Sequence, residues 1–317
     1  MPSYAAVTIT FNPAVDKSTS VPSLAPEKKL VCAAPLLQAG GGGINVARAI
    51  HKLGGEALAL FPAGGYNGGL LKRLLDDEGV ASQPLPIAGD TRENLVVLDS
   101  AANLQYRFGM PGPRLSEAEN RQCLLALEQQ AAHSDFLVAS GSLSPGMPVD
   151  MLARVASIAK KKKVPLVLDS SGPALAAALE EGVFLIKPNV GELAALAGCD
   201  ELGYDSITGV ARGLIAKGRC QVVVVSMGRG GAMLVTAGLV RYVLAPPVKK
   251  VSSIGAGDSM VGGIVLALHR GRSIAQAVRF GVACGTAATL HPGTGLCSRE
   301  DAERLYKVMD LSSEVCE

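Results

Sequence analysis

Short runs of valine, leucine, isoleucine and alanine alternate along the chain with longer segments of helical periodicity. Several runs are apolar at nearly every position, which is typical of strands buried on both faces of a parallel sheet. They predict strands at Ala5–Thr10, Leu58–Ala63, Phe136–Gly141, Pro165–Asp169, Phe184–Lys187 and Gln221–Met227. The pattern favours an α/β fold with a doubly wound, mostly parallel sheet flanked by helices.

The segments between these runs repeat apolar residues every three or four positions, and several end at a glycine. They predict helices at Ile44–Leu53, Leu70–Glu78, Ser116–Ala132, Val149–Lys163, Ile207–Lys217, Asp258–His269, Ile274–Leu290 and Arg299–Met309. No internal repeat and no low-complexity linker interrupts the alternation, so we expect one domain over residues 1–317.

Two stretches, at about 15–35 and 90–110, are more polar and alternate with a period of two. They predict short antiparallel strands with one solvated face, at Lys17–Val21, Lys29–Ala33, Asn94–Asp99 and Leu104–Phe108. We expect these insertions to form a small second sheet, called the lid, that covers a ligand and offers its outer face as a dimer contact.

Composition narrows the class of protein. The formal net charge is +2 and no basic stripe is interleaved with aromatics, which argues against nucleic-acid binding. No run of 18 apolar residues and no basic N-terminal segment occurs, so we expect neither a membrane span nor a secretion signal. The seven cysteines lack a C-x-x-C spacing, which favours reduced, mostly buried thiols in a cytoplasmic enzyme.

The segment Ser253–Met260 carries the most informative chemistry. Gly255, Ala256 and Gly257 precede an apolar helix, so their backbone N–H groups would gather at its positive end, where a transferred phosphoryl group could be stabilised. Asp258, in the first turn, could accept a proton from a hydroxyl group. The alternative is that Asp258 only caps the helix.

A second glycine-rich segment, Gly40–Gly43, leads into a helix with Asn45 in its first turn. Without side chains, this loop would let a polyhydroxy ligand reach the backbone amides, and Asn45 could both donate and accept hydrogen bonds. A tight strand-to-helix turn is the alternative. It is not a P-loop, because no Gly-Lys-Ser/Thr follows.

Together, the two glycine-rich segments make the chain resemble the PfkB, or ribokinase-like, family of carbohydrate kinases. The family's two signature regions match Ala39–Gly64 and Val251–Leu266. Further stretches resemble the family's branch of isozyme-2-type 6-phosphofructokinases: Phe61–Gly65, Gln105–Phe108, Ser140–Leu143, Asp169–Gly172, Lys187–Asn189 and Pro246–Lys249. The similarity covers essentially the whole chain in the family's order.

The resemblance implies a role for each matching residue. Asp258 would be the catalytic base, with Gly255, Ala256 and Gly257 as the anion hole. Residues matching the family's nucleotide side are Lys187, Asn189, Glu192, Ser226, Gly228 and Gly231, with Glu192 acting indirectly on Mg²⁺. Residues matching the sugar side are Asp16, Gly41, Gly42 and Asn45 for the hydroxyls, and Lys29, Arg92 and Ser142 for the phosphate.

Several of these assignments have a structural alternative. Asp16 could cap a turn after Asn12-Pro13, and Lys29 and Arg92 could be solvated charges on the lid. Glu192 could be an ordinary acidic residue of a first helical turn, and the stretch from 226 to 231 only a hairpin turn.

Family members often bind K⁺ through backbone carbonyl oxygens beside the anion hole, and such oxygens suit a hard cation. The matching positions are Ser252, Ile254, Ala288, His291, Gly293 and Gly295. The implied activity is MgATP-dependent phosphorylation of fructose 6-phosphate at its C1 hydroxyl by a homodimer that pairs through its lids. Fructose 1-phosphate or tagatose 6-phosphate as acceptor, and a non-catalytic nucleotide-binding regulator, remain as alternatives.

Overall fold

The computed structural model describes residues 4–293 and 295–313, whose backbone builds two sheets and the helices around them. The strands are β1 Tyr4–Ile9, β2 Ala14–Val21, β3 Leu36–Gly40, β4 Ala57–Ala63, β5 Ser82–Pro86, β6 Arg92–Asp99, β7 Leu104–Phe108, β8 Ser134–Ser140, β9 Leu166–Asp169, β10 Val183–Ile186, β11 Cys220–Ser226, β12 Ala232–Val235 and β13 Val240–Val243. The helices are α1 Gly42–Lys52, α2 Gly65–Asp77, α3 Glu117–Gln130, α4 Met151–Lys162, α5 Gly172–Glu181, α6 Val190–Ala197, α7 Tyr204–Ala216, α8 Ala256–His269, α9 Ile274–Ala288 and α10 Arg299–Ser313.

The main sheet has nine strands in the order β13-β12-β11-β10-β9-β8-β1-β4-β5. All neighbouring pairs from β11 to β5 are parallel, and β12 and β13 are antiparallel. From β1 the chain first moves to β4 and β5 on one side, and later to β8 and its successors on the other. The carboxyl ends of β1 and β8 therefore flank a topological switch point, where open α/β sheets bind their ligands.

The α/β expectation is confirmed, and each predicted strand of the main sheet and each predicted helix is present, with ends shifted by a few residues. Three strands of the main sheet and two helices were not predicted: β5, β12, β13, α5 and α6. The strand β5 was missed because it contains Pro84 and Pro86, which are rare within strands. It tolerates them because it is the last strand at one edge of the sheet. The helix α6 has only eight residues, too few for a clear periodic pattern.

The lid is a four-stranded sheet in the order β3-β2-β6-β7, and two predictions about it were wrong. Residues Lys29–Ala33 form no strand, and the strand beside β2 is Leu36–Gly40. The pairing of β2 with β6 is parallel, because α1, β4, α2 and β5 lie between them and return the chain to the start of the lid. The two outer pairs are antiparallel, as expected.

The helices α1 and α8 pack closely because glycine lies at their contact. A Cβ atom added to Gly262 of α8 would lie 2.9 Å from the Cβ of Ala49 and 3.2 Å from the carbonyl oxygen of Val46. This close approach brings the N-terminal ends of both helices to the carboxyl edge of the main sheet. The first turn of α1 is also tied to β1, because the N–H of Ile44 donates to the Thr10 hydroxyl at 2.8 Å.

Within the described residues, no helix has the length and apolar character needed to cross a bilayer. The six cysteines described there are all free thiols, and four of them are buried. Cys316 lies outside the described residues.

Replacing Gly262 by valine should lower the free energy of unfolding by about 1–3 kcal/mol, because the added methyl groups must push α8 away from α1. The matched control is Gly69→Val in α2, where an added Cβ meets nothing within 4 Å. Urea unfolding midpoints measure both effects. A Gly262 variant as stable as the Gly69 variant would contradict the proposed close contact.

Candidate active site

The glycine-rich loop before α1 lies at the switch point. An added Cβ at Gly42 would collide with the Ser140 side chain and the backbone of Gly141, at the end of β8. Gly41 has a φ of 115° and would clash with Thr10. The loop is therefore the tight strand-to-helix turn that the sequence allowed, and it holds the positive end of α1 directly against β1 and β8.

The base candidate Asp258 lies in the first turn of α8, and the structure argues against a simple capping role. The N-cap is Gly255, with a φ of 73° and no side-chain capping bond. The carboxylate of Asp258 instead accepts a hydrogen bond from Nδ2 of Asn45, at 2.9 Å. The bond joins the first turns of α1 and α8, so the two glycine-rich segments form one site.

A buried ion pair lies beside Asp258. Nζ of Lys187 is 3.0 Å from a carboxylate oxygen of Asp169, and the Lys187 side chain is only 6% exposed. Burial alone would lower the pKa of Lys187, but the charges of Asp169, Glu192 and Asp258 raise it above its ordinary value. The lysine therefore stays a cation next to the helix end where Gly257 lies.

The same surroundings make Asp258 a weaker acid than usual. Burial and the neighbouring Asp169 raise the pKa of Asp258 to about 7, against the lowering effects of the Asn45 hydrogen bond and of Lys187. A carboxylate with this pKa is suited to accept a proton near neutral pH.

On the lid side, Asp16 of β2 faces the site across Gly40, where no side chain would fit beside the carboxylate. Oδ1 of Asp16 accepts a hydrogen bond from Nδ2 of Asn94, at 2.9 Å, rather than capping a turn. Burial raises the pKa of Asp16, although Asn94 and nearby arginines, including Arg92 and Arg107, oppose the rise.

The half-buried Arg92 guanidinium group joins the lid to the main sheet and is no freely solvated charge. It donates to the carbonyl oxygens of Met110 and Asn12, each at 2.9 Å. Asn12 also donates from Nδ2 to the Ser142 hydroxyl at 3.2 Å, so Arg92 and Ser142 lie in one neighbourhood. Lys29 lies in the exposed loop after β2, and no hydrogen bond or ion pair among the described residues holds it there.

A cleft of about 550 Å³ opens on the other side of the α8 N-terminus. Its wall combines an apolar slot with polar groups near the helix end. The apolar part is Ala245, Pro246, Pro247, Val248, Met260 and Val282, and the polar part includes Asn189, Ser226, Arg229, Lys250, Ser253 and Thr286. Ala256 and Gly257 also line the cleft, so the anion-hole candidate faces it.

Four of the six residues assigned to the nucleotide line this cleft: Asn189, Ser226, Gly228 and Gly231. Asn189 and Glu192 form a reciprocal capping box at the start of α6, with both bonds at 2.8 Å. Glu192 therefore lies in the first turn of α6, with one carboxylate oxygen used in the capping box. Lys187 lies deeper, behind Gly257.

The segments assigned to K⁺ also lie together. The Ser252 hydroxyl donates to the carbonyl oxygen of Gly293 at 3.3 Å, and the Val251 and Ser252 amides donate to the carbonyl oxygen of Thr289. The imidazole of His291 is held by Asp301 of α10 at 3.1 Å. Among the described residues, no cluster of three or more acidic, histidine or cysteine side chains could hold a metal ion.

Sequence reasoning missed several polar residues of the site. Asp169 lay within a stretch noted only for its resemblance, although its position at the carboxyl end of a buried strand was a usable signal. Arg229 lies between Gly228 and Gly231, the two glycines assigned to the nucleotide side. Asn94 and Arg107 belong to the lid, and their proximity to Asp16 depends on the pairing and register of the lid strands, for which the sequence predicted only antiparallel strands.

Comparison with known proteins decides the family. Residues 1–301 match the pfkB family carbohydrate kinases. The chain belongs to this family. It is 46% identical over 309 residues to the ATP-dependent 6-phosphofructokinase isozyme 2 of Mycobacterium tuberculosis H37Rv, covering 98% of this chain and 91% of that protein. It is 32% identical over 307 residues to the 1-phosphofructokinase of Rhodobacter capsulatus, covering 96% and 97%.

Solved structures agree with this PfkB assignment. Phosphofructokinase-2 from Escherichia coli in complex with potassium superposes with a TM-score of 0.93 at 44% identity, covering 97% of this chain and 99% of that one. The tetrameric inhibited form of the same enzyme superposes with a TM-score of 0.91 at 43% identity, with the same coverage.

The raised pKa of Asp258 predicts a pH-dependent stability. Between about pH 4 and pH 7 the unfolded chain carries this carboxylate ionised while the folded chain keeps it protonated, so Asp258 lowers stability as the pH rises through this window. Asp258→Asn should therefore gain in melting temperature over the wild type from pH 4 to pH 8. Thermal unfolding at both pH values measures the gain, with Asp150→Asn, an exposed carboxylate paired with Arg154, as control. An equal difference at both pH values would contradict the raised pKa.

Proposed function

We propose that this protein is an ATP-dependent 6-phosphofructokinase of glycolysis, which transfers the γ-phosphoryl group of MgATP to the C1 hydroxyl of fructose 6-phosphate. The observation that carries the proposal is the position of Asp258. It lies at the N-terminal end of α8, between the cleft that contains Gly257 and the polar pocket of Asn45 and Asp16. The 46% identity to an isozyme-2 enzyme supports the choice of reaction.

In this reaction Asp258 accepts the proton of the C1 hydroxyl as the hydroxyl oxygen attacks the γ-phosphorus in line, and the bond from that phosphorus to the bridging oxygen breaks to release ADP. The backbone N–H groups of Gly255, Ala256 and Gly257, at the positive end of α8, stabilise the charge that develops on the transferred group. The Lys187 cation behind Gly257 adds to this field. Lid closure over the sugar excludes water and so limits ATP hydrolysis.

The sugar phosphate occupies the pocket under the lid. Asp16, Asn45 and the amides of Gly41 and Gly42 hold its hydroxyl groups, because Asn45 bonds to Asp258 and the two glycines begin the helix that carries Asn45. Arg92 and Ser142 face the phosphate, joined by Lys29 from its exposed loop. The Arg92 Nε atom is buried without a hydrogen-bond partner, so this guanidinium group has donor capacity left for an anion.

The nucleotide occupies the 550 Å³ cleft, with its base in the apolar slot and its phosphates towards Gly257. Ser226, Gly228 and Gly231 form one wall of this cleft, and Lys187 faces the phosphates from behind the helix end. Oε2 of Glu192 is used in the capping box with Asn189, which leaves Oε1 to bind the water shell of Mg²⁺. When bound, Mg²⁺ neutralises phosphate charge.

The carbonyl oxygens of Ser252, Ile254, Ala288, His291, Gly293 and Gly295 are the donor set for K⁺. Their oxygen chemistry suits this cation, and the contact between Ser252 and Gly293 brings the two segments within one site. The potassium complex of the E. coli enzyme supports the assignment.

The enzyme works in the cytoplasm as a homodimer that pairs through its lids. Leu104, Tyr106, Phe108 and Met110, in and just after β7, expose between 40% and 54% of their surfaces, which favours burial against a second lid. The inhibited form of the E. coli relative is described as tetrameric, so further association of dimers is compatible with this arrangement. The free thiols suit a reducing compartment.

Asp258→Asn should lower kcat by about 10²–10⁴-fold and leave the Kd for ATP nearly unchanged, because it removes the base while keeping the shape of the site. Steady-state kinetics with fructose 6-phosphate and ATP-binding titration measure the two effects. Asp135→Asn, in an exposed pair with His269, is the control and should keep wild-type turnover. A normal kcat for Asp258→Asn would sink the proposal and would favour a regulator that binds nucleotide without catalysis.

A panel of the three ketohexose phosphates tests the acceptor. We expect the highest kcat/KM for fructose 6-phosphate, followed by tagatose 6-phosphate and fructose 1-phosphate. Arg92 and Ser142 meet at Asn12, whereas Asp258 is held by Asn45, which favours a phosphate distant from the reacting hydroxyl. The similarity to a 1-phosphofructokinase makes fructose 1-phosphate the competing acceptor. A higher kcat/KM for fructose 1-phosphate would overturn the proposed specificity.

A further inference from the structure

A buried guanidinium group lies directly behind Asn45, the residue that holds Asp258. Arg48 follows Asn45 by three positions on α1, on the same face of the helix, and is only 1% exposed. Nη1 of Arg48 donates to Oδ1 of Asn45 at 3.1 Å and to the carbonyl oxygen of Ala39 in β3 at 2.7 Å. One cation thus contacts both the partner of Asp258 and a strand of the lid.

The other side of this guanidinium group is fixed by Glu78, which follows α2. Nε and Nη2 of Arg48 donate to the two carboxylate oxygens of Glu78, at 2.8 and 2.6 Å. This two-bond geometry holds the plane of the guanidinium group and compensates its charge. Glu78 is itself 29% exposed, so the pair runs from the protein surface to the site.

The contact with Arg48 determines which way the Asn45 amide faces. Arg48 has only donors, so the amide atom that faces it must be the acceptor Oδ1. The donor Nδ2 is then turned towards Asp258, where it makes its 2.9 Å bond. If the amide were reversed, its oxygen would face the carboxylate and repel it.

We propose that Arg48, held by Glu78, is a positioning residue for the phosphoryl transfer, which orients the Asn45 amide so that it holds the Asp258 carboxylate for proton acceptance. Arg48 touches neither substrate. It acts on Asp258 through Asn45, and its charge also lowers the pKa of Asp16. Its bond to Ala39 joins this arrangement to the root of the lid. The inference rests on the proposed function, in which Asp258 is the base.

Other charges also act on Asp258 and have to be considered in any pH measurement. Asp169 at the end of β9 and Asp16 on β2 raise its pKa, and Lys187 after β10 lowers it together with Asn45. The variants proposed here leave Asp169, Asp16 and Lys187 in place. Arg48 also lowers the pKa of Asp16, so a shift of the acid limb of the kcat profile reports on the Asn45 bond when it disappears in the Asn45→Ala background.

The central experiment is Arg48→Met, with kcat, both KM values and the pH profile measured on the full chain. We expect kcat to fall about tenfold, the rate equivalent of one hydrogen bond, with the KM for ATP unchanged. The acid limb of kcat should move to higher pH, because Asp258 loses a donor that lowers its pKa. Arg48→Lys should not rescue kcat, because an ammonium group cannot reach the four acceptors at once.

Two further variants separate positioning from simple loss of stability. Glu78→Gln keeps Arg48 but weakens the hydrogen bonds that hold its guanidinium group. It should therefore lower kcat by about two- to threefold and move the acid limb of kcat to higher pH, as Arg48→Met does. In an Asn45→Ala background, neither Arg48→Met nor Glu78→Gln should lower kcat further, because the residue through which they act is gone. If Arg48→Met does not fold, the comparison of Glu78→Gln in the wild-type and Asn45→Ala backgrounds tests the inference by itself.

The control is Arg270→Met, which removes a guanidinium group from the opposite end of α1. Nη2 of Arg270 donates to the carbonyl oxygens of Leu53 and Gly54, far from Asp258 along the helix, so kcat and the pH profile should stay as in the wild type. A folded Arg48→Met enzyme with wild-type kcat and acid limb would overturn the inference, as would additive losses in the Asn45→Ala background. These failures differ from failure of the proposed function, which would appear as normal turnover in Asp258→Asn.

Discussion

The contact between α1 and α8 is the constraint on which the site depends. Two helices with positive N-terminal ends converge at the switch point of the main sheet. They can approach each other closely because Gly262 and the glycines before α1 have no side chains, and this lets Asn45 reach Asp258. Two helix dipoles that point to one place favour an anion there. The phosphoryl group of the proposed reaction would move at the point where these fields meet.

Opposing effects of burial and of neighbouring groups set the pKa of Asp258. Burial and Asp169 make Asp258 basic enough to accept a proton near neutral pH, while Asn45 and Lys187 limit the rise of its pKa. Since each of these groups is fixed by packing, the base needs no rearrangement of water when its charge changes. Arg48 connects this site to the surface and to the lid, because it contacts Asn45, the partly exposed Glu78 and Ala39 of β3.

Much of the fold was predictable because strands buried on both faces of a parallel sheet are continuously apolar, and amphipathic helices have a distinct period. The lid was harder to predict. Its strands come from distant parts of the chain, so neither the parallel pairing of β2 with β6 nor the location of β3 follows from local alternation. The strand β5 was missed because of its prolines, since residue propensity is a weak guide to strands at the edge of a sheet. The helix α6 was missed because it is short.

For the site, the amino-acid sequence by itself determined the chemical types: glycine-rich turns before two helices, an acidic residue in one first turn and an amide in the other. These are local features, and local patterns are visible along the chain. Only the tertiary structure decided that Asp258 is held by Asn45, that Lys187 pairs with Asp169, and that Glu78 anchors Arg48. Each of these pairs joins residues at least 18 positions apart, and their meeting depends on the order of strands and the crossing of helices, which no short window of sequence contains.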